Sequence, residues 1–111
     1  MALLRLIVVL LTLVLTEARI SAASAEEKRA FDAPAKSFKD GFWDLAEKGF
    51  AEFALQFPTS ERKPEAILLQ GEARFQLKLY TGVIDLLAAN LSKAGPWADQ
   101  YHYWLAQASF C

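Results

Sequence analysis

The chain lines up with itself. Sliding the sequence by 37 residues sets Phe31 on Leu68, Phe38 on Phe75, Trp43 on Tyr80, Ala46 on Val83 and Phe50 on Leu87. Pro58 then meets Gly95, beside Pro96. A further slide of 35 carries Leu68, Gly71 and Phe75 onto Tyr103, Ala106 and Phe110. Periods of this size, when built from helix pairs, mark an α-solenoid, in which each unit buries its apolar face on the next. The expected fold is therefore all-α. Antiparallel helix pairs stack in about two and a half units, near residues 28–60, 61–96 and an incomplete 97–111.

Each unit reads as helix, tight turn, helix and breaker. Asp32 to Lys39 forms a short helix, with Asp32 as its cap and Pro34 in the first turn, where a missing N–H is harmless. Asp40-Gly41 ends it. Phe42 to Phe57 is a second helix. Phe42, Leu45, Ala46, Phe50, Phe53, Ala54 and Phe57 recur at spacings of three and four, giving one apolar stripe. Pro58 stops it, and Thr59 or Ser60 caps the next helix, with Pro64 early inside. Ile67, Leu68, Gly71, Phe75 and Leu79 stripe that third helix. Tyr80-Thr81-Gly82 is the break before a fourth, striped by Val83, Ile84, Leu87, Ala88 and Leu91. Gly95-Pro96 precedes a fifth helix, Trp97 to Phe110, with Trp97, Tyr101, Trp104, Leu105 and Ala108 on one face. Gly71, Ala46 and Ala106 are small enough to let paired helices approach closely.

Composition agrees with helices. After residue 25 the only β-branched residues are Thr59, Ile67, Thr81, Val83 and Ile84, too few for a sheet-rich fold. All eight Phe, three Trp and three Tyr also fall after residue 25 and supply an aromatic core. The net charge is −1 with no basic stripe, so the electrostatic footprint of a nucleic-acid binder is missing. One cysteine, Cys111, leaves no disulfide within the chain.

Residues 1–25 read as an export signal. Arg5 supplies the positive start, and Leu6 to Leu15 is apolar apart from Thr12. Ala23 and Ala25 suit an A-x-A cleavage site, so the mature chain would begin at Glu26. The apolar run is shorter than the roughly 20 residues of a spanning helix, and Glu17 and Arg19 flank it. No membrane insertion is expected after cleavage. The alternative is an uncleaved N-terminal anchor. No cysteine lies near the site, which disfavours a lipoprotein.

The stretch Gly41-Phe42-Trp43-Asp44-Leu45-Ala46, followed by Phe50 and Phe57-Pro58-Thr59-Ser60, resembles the second helix and exit of a tetratricopeptide repeat. So does Gly71, Phe75 and Tyr80-Thr81-Gly82-Val83-Ile84. The pattern is most similar to bacterial periplasmic repeat proteins of outer-membrane barrel assembly and of the Tol–Pal envelope system. The resemblance covers about residues 28–110. It implies a protein-interaction scaffold in the periplasm. The chain departs from the pattern at Pro34, where the first helix normally carries a small residue, at Val83 in place of Ala, and at Gly95. Some repeats of this family clamp a C-terminal carboxylate. The corresponding positions here, Phe31, Ala35, Leu68 and Glu72, cannot do so.

No catalytic or cofactor-binding set is expected. His102 is the only histidine, and one His with one terminal Cys cannot assemble the three or four ligands of a metal site. No glycine-rich phosphate loop occurs. Binding is the remaining role. In the family, the first helices of the pairs line the concave surface. The matching residues, Phe38, Lys39, Leu68, Glu72, Phe75 and Gln76, are the candidate groove for an extended or helical peptide. By the 35-residue slide the third unit lacks its second helix, which leaves Trp97, Tyr101 and Trp104 as a candidate docking end. Either the chain is a fragment of a longer solenoid, or this end takes a partner or a second copy. The fragment is the preferred reading, because exposed apolar ends invite aggregation. A different class of function also fits: a helical accessory region of a larger envelope enzyme, such as a cell-wall lytic one.

Overall fold

The structure, a computed structural model, describes residues 24–111. The expected leader, apart from residues 24 and 25, lies outside the described residues. Five α-helices follow one another among the described residues: α1 (24–39), α2 (Trp43–Gln56), α3 (Lys63–Gln76), α4 (Tyr80–Asn90) and α5 (Ala98–Ser109). Short 3-10 turns, Leu91–Lys93 and Gly95–Trp97, join α4 to α5. There is no strand among the described residues.

The first helix is longer than the expected Asp32 to Lys39. Residues 24–31 are helical too, so Asp32 is not a cap and Pro34 stands in the helix interior. Ala, Glu, Lys and Arg before Asp32 are good helix formers. An interior proline leaves one carbonyl without its N–H and costs about 3 kcal/mol or more. Packing offsets this. Pro34 is buried against α2, and a Cβ on Gly49 would lie only 2.6 Å from the Pro34 Cβ. Glycine on α2 therefore makes room for the bulky residue on α1. In the second pair the arrangement is reversed: Gly71 on α3 admits Leu87 of α4, whose Cδ2 would stand 3.0 Å from an added Cβ.

The two hairpin turns are the same structure 37 residues apart. Gly41 takes φ +81° and Lys78 takes φ +62°. The Phe42 N–H donates to the Ser37 carbonyl and the Leu79 N–H to the Arg74 carbonyl, each at 2.9 Å. Gly41 and Lys78 donate to Phe38 and Phe75, at 3.1 and 2.9 Å. Both are Schellman closures with a left-handed residue just past the helix end. The turn after α3 is thus Leu77 to Leu79. Tyr80, Thr81 and Gly82 are not a break but the first turn of α4, and Leu79 caps α4 instead of extending the α3 stripe. Lysine in the left-handed turn hides the signal that Gly41 gives openly.

The rings repeat as well. Phe38 meets Trp43 edge-on at 5.2 Å, and Phe75 meets Tyr80 edge-on at 5.2 Å. One core cluster joins α1, α2 and α3 through Phe31, Ala46, Phe50, Phe53, Ala66 and Ala73. Phe31 sits edge-on to Phe50 and Phe53, each at 5.3 Å. The other cluster joins α3, α4 and α5 through Ile67, Leu68, Val83, Leu87, Tyr101 and Ala108. Each fully buried large side chain among these contributes roughly 1.5–3 kcal/mol. Helix α3 feeds both clusters and is the central element. At the start of the α2 stripe, Phe42 and Leu45 are exposed, because no described helix covers them.

Polar ties cross the pairs. The Glu47 carboxylate on α2 accepts from Gln70 at 3.1 Å and from Arg74 at 3.0 Å on α3. Arg74 also donates to the Gly82 carbonyl of α4 at 2.9 Å. This satisfies Gln70, the buried polar side chain of α3. Ser60 does not cap α3. Its hydroxyl donates to Glu27 of α1 and accepts the Arg62 N–H at 3.1 Å, and Ser60 stands three residues before the helix starts at Lys63.

Candidate functional site

The candidate groove is only partly at the surface. Lys39 and Gln76, at the ends of α1 and α3, are exposed. Phe38 and Phe75 are half-buried with their rings engaged: Phe38 by Trp43, and Phe75 by both Tyr80 and Trp104. Leu68 is 2% exposed and belongs to the core between α3 and α4. No partner can reach it in the folded chain. Glu72 lies half-buried on α3. Burial pushes its carboxyl above the usual range, and a hydrogen bond with Trp104 draws it partway back. A polar rim remains over ring edges; a row of free aromatic faces does not.

The C-terminal face is also turned relative to the expectation. Tyr101 is completely buried, so it cannot dock a partner. Its hydroxyl donates to the Pro64 carbonyl at 2.6 Å, and burial pushes the phenol up to about 12. Trp97 and Trp104 are half-buried against the α3–α4 core. The face carrying these three residues closes the second pair. The opposite face of α5 is the open one: Tyr103 is 56% exposed and Phe110 is 90% exposed. The sequence held a signal for this. The 35-residue slide places Tyr103, Ala106 and Phe110 where α3 packs on its own partner helix, and α5 has no such helix among the described residues.

Three cavities lie elsewhere, and none of the three includes a groove residue. One of about 210 Å³ is lined by Ser60, Lys63, Asn90, Lys93 and Tyr101 among others. One of about 310 Å³ lies between α1 and α2 at Pro34, Leu45 and Gly49. One of about 530 Å³ opens beside Glu47, Arg74 and the Lys78 turn. No group of three or more potential metal ligands converges among the described residues. His102 and the free thiol of Cys111 are both exposed on or just past α5. No described helix is long and apolar enough to cross a membrane. No family model, curated protein or solved structure matches this chain.

Proposed function

We propose that this chain is a non-catalytic protein-interaction scaffold of tetratricopeptide-repeat type, a stack of helix pairs that works in the bacterial envelope after export on residues 1–25. The observation that carries this reading is the recurrence of one turn and one ring pair 37 residues apart, Phe38–Trp43 with Gly41 and Phe75–Tyr80 with Lys78. A chain that repeats a hairpin extends its surface with each unit, and extended surfaces of stacked hairpins suit protein partners. The central position of α3, buried toward both pairs, is that of an inner helix in such a stack. The apolar leader with Ala23 and Ala25 at its end supports export.

The test is site-specific photocrosslinking of the full chain in an exporting bacterium. Probes at Lys39 and Gln76 report on the ridge of α1 and α3, and a probe at exposed Lys48 on α2 serves as control. Discrete protein adducts from the ridge but not from Lys48 support the scaffold. Ridge positions that yield nothing above the control would overturn it.

A further inference from the structure

The cavity of about 210 Å³ differs from the other two in charge. It lies where the connection from α2 to α3 meets the connection from α4 to α5. Thr59, Ser60 and Lys63 form one wall, and Asn90, Lys93 and Tyr101 the other. Two lysines therefore line it, and no carboxylate does. The other cavities carry acids: Glu52 in one, Asp44 and Glu47 in the other. The chain's net charge is −1, so a wall with two cations and no acid does not follow from overall basicity. Lys28, Lys36, Arg62 and Arg74 are each ion-paired, whereas Lys63 and Lys93 have no such partner among the described residues. Two like charges on one small cavity repel each other, and an anion between them turns that repulsion into attraction.

The polar groups left over on these walls are donors. Thr59 has an exposed hydroxyl. Asn90 spends one amide N–H on the Leu86 carbonyl at 2.8 Å, which leaves its second. The Ser60 and Tyr101 hydroxyls are already engaged, by Glu27 and by the Pro64 carbonyl. The start of α3 adds little of its own, because the Lys63 N–H donates to the Ser60 carbonyl at 3.1 Å and Pro64 has no N–H. Recognition here is by side chains converging from two connections.

We propose that this cavity binds small phosphate monoesters, with Lys63 and Lys93 holding the phosphate between them. Two ammonium groups, a hydroxyl and an amide N–H match a group with several acceptor oxygens and a charge of roughly −1.5 to −2, which a phosphate monoester carries near neutral pH. A carboxylate brings one charge and two oxygens and leaves donors unused. Size limits the rest of the ligand. About 210 Å³ is below the roughly 300–1,000 Å³ of pockets for drug-sized ligands. A nucleotide is too large, and a phosphate on a stem of a few carbons fits. Pro58, Pro64 and Ile67 give that stem an apolar side. The bound ester ties the α2–α3 connection to the α4–α5 connection. Lys63 opens α3 and Gln76 closes it, about 20 Å further along the axis, so the site does not depend on the ridge of Lys39 and Gln76.

The experiment is a heteronuclear NMR titration of the full chain with glycerol phosphate, with glycerol and acetate as controls. Saturable shifts of the Thr59, Lys63, Asn90 and Lys93 amides are expected with glycerol phosphate and none with glycerol. Acetate should bind more weakly by about tenfold or more. Lys63→Gln and Lys93→Gln should each weaken binding by about tenfold, since each removes a charge-assisted contact. Lys93 is exposed on its turn, so Lys93→Gln should melt as the native chain does and decides the matter even if Lys63→Gln disturbs the fold. Lys48→Gln, on α2, should bind as the native chain does. Dihexanoyl phosphatidic acid, a water-soluble lipid with the same phosphate monoester, separates the sources. Binding at least as tight as that of glycerol phosphate assigns the site to a lipid headgroup; weaker binding assigns it to a free phosphate ester. Shifts that do not saturate, that acetate matches, or that survive Lys93→Gln undiminished would overturn the proposal.

Discussion

The Tyr101 hydroxyl and the Pro64 carbonyl, 2.6 Å apart, tie α5 to the first turn of α3. Tyr101→Phe keeps the ring and removes only this bond. The expected loss is about 1 kcal/mol, or a fall in Tm of roughly 4–8 °C for a domain of this size. Alkali adds a second signature. The buried phenol is held up to about 12 against an ordinary 10.0, so the folded chain favours the neutral form. That stability is complete below pH 10 and is lost as the pH rises toward 12, where the unfolded chain ionises first. The rise from 10.0 to about 12 outweighs a bond worth about 1 kcal/mol, so thermal melts of the native chain and Tyr101→Phe should converge and then cross within that window. A constant gap from pH 8 to 12 would contradict the buried, bonded phenol.

Lys78 carries a side chain through a left-handed turn, φ +62°, where the equivalent Gly41 carries none. A residue with a Cβ costs about 1–2 kcal/mol in this conformation, partly offset because glycine loses more freedom on folding. Lys78→Gly should raise stability by about 0.5–1 kcal/mol. Gly41→Lys should lower it by a similar amount. Chemical denaturation of the two variants checks both signs. A loss on Lys78→Gly would mean the lysine side chain holds something the turn needs.

The same pair shows what the sequence reveals and what it hides. The 37-residue slide, the stripe over Ala46, Phe50 and Phe53, and the five helices are legible because hydrophobic period and breakers act locally. The Lys78 turn is not, because the Schellman closure is made by backbone groups and needs no glycine. Pro34 misleads for a related reason: the residue that makes room for it, Gly49, is on another helix. The two faces of α5 look alike in sequence. Both carry aromatics at helical spacing, and only the packing of Ala108 and Tyr101 on the second pair decides which face is inside. In the groove, side-chain type could not separate Leu68, which is core, from Lys39 and Gln76, which are surface.

The two helix crossings predict opposite tolerances to one methyl group. At Gly49 the added Cβ would lie 2.6 Å from the Pro34 Cβ, an atom fixed to the backbone. Gly49→Ala should therefore cost about 1–3 kcal/mol, as overpacking does. Pro34→Ala restores a helical N–H and raises the baseline, but alanine keeps the offending Cβ, so Gly49→Ala should cost the same in the Pro34→Ala background as in the native one. At Gly71 the neighbours are side-chain atoms of Leu87, Cδ2 at 3.0 Å, Cγ at 3.2 Å and Cδ1 at 3.3 Å, which can give way by a small rotation of the leucine. Alanine also gains nearly 1 kcal/mol of helix propensity over glycine. Gly71→Ala should then stay within about 1 kcal/mol of the native chain. Urea melts of the three variants rank them; a Gly71→Ala as damaged as Gly49→Ala would refute the difference.

Glu72 reverses the usual behaviour of a surface carboxylate. Burial holds its pKa above the ordinary 4.5, and the hydrogen bond with Trp104 offsets only part of that rise. The folded chain therefore binds this proton more tightly than the unfolded chain does. Its contribution is full below pH 4.5 and is lost as the pH rises through the folded value, so at neutral pH the charged Glu72 weakens the fold. Glu72→Gln removes the charge and keeps an acceptor for the indole. The variant should melt at a higher temperature than the native chain at pH 7. At pH 4, where Glu72 is already mostly protonated in the folded chain, the two should melt together. A gap that persists unchanged to pH 4 would show that the gain comes from the amide's own contacts and not from relief of a half-buried charge.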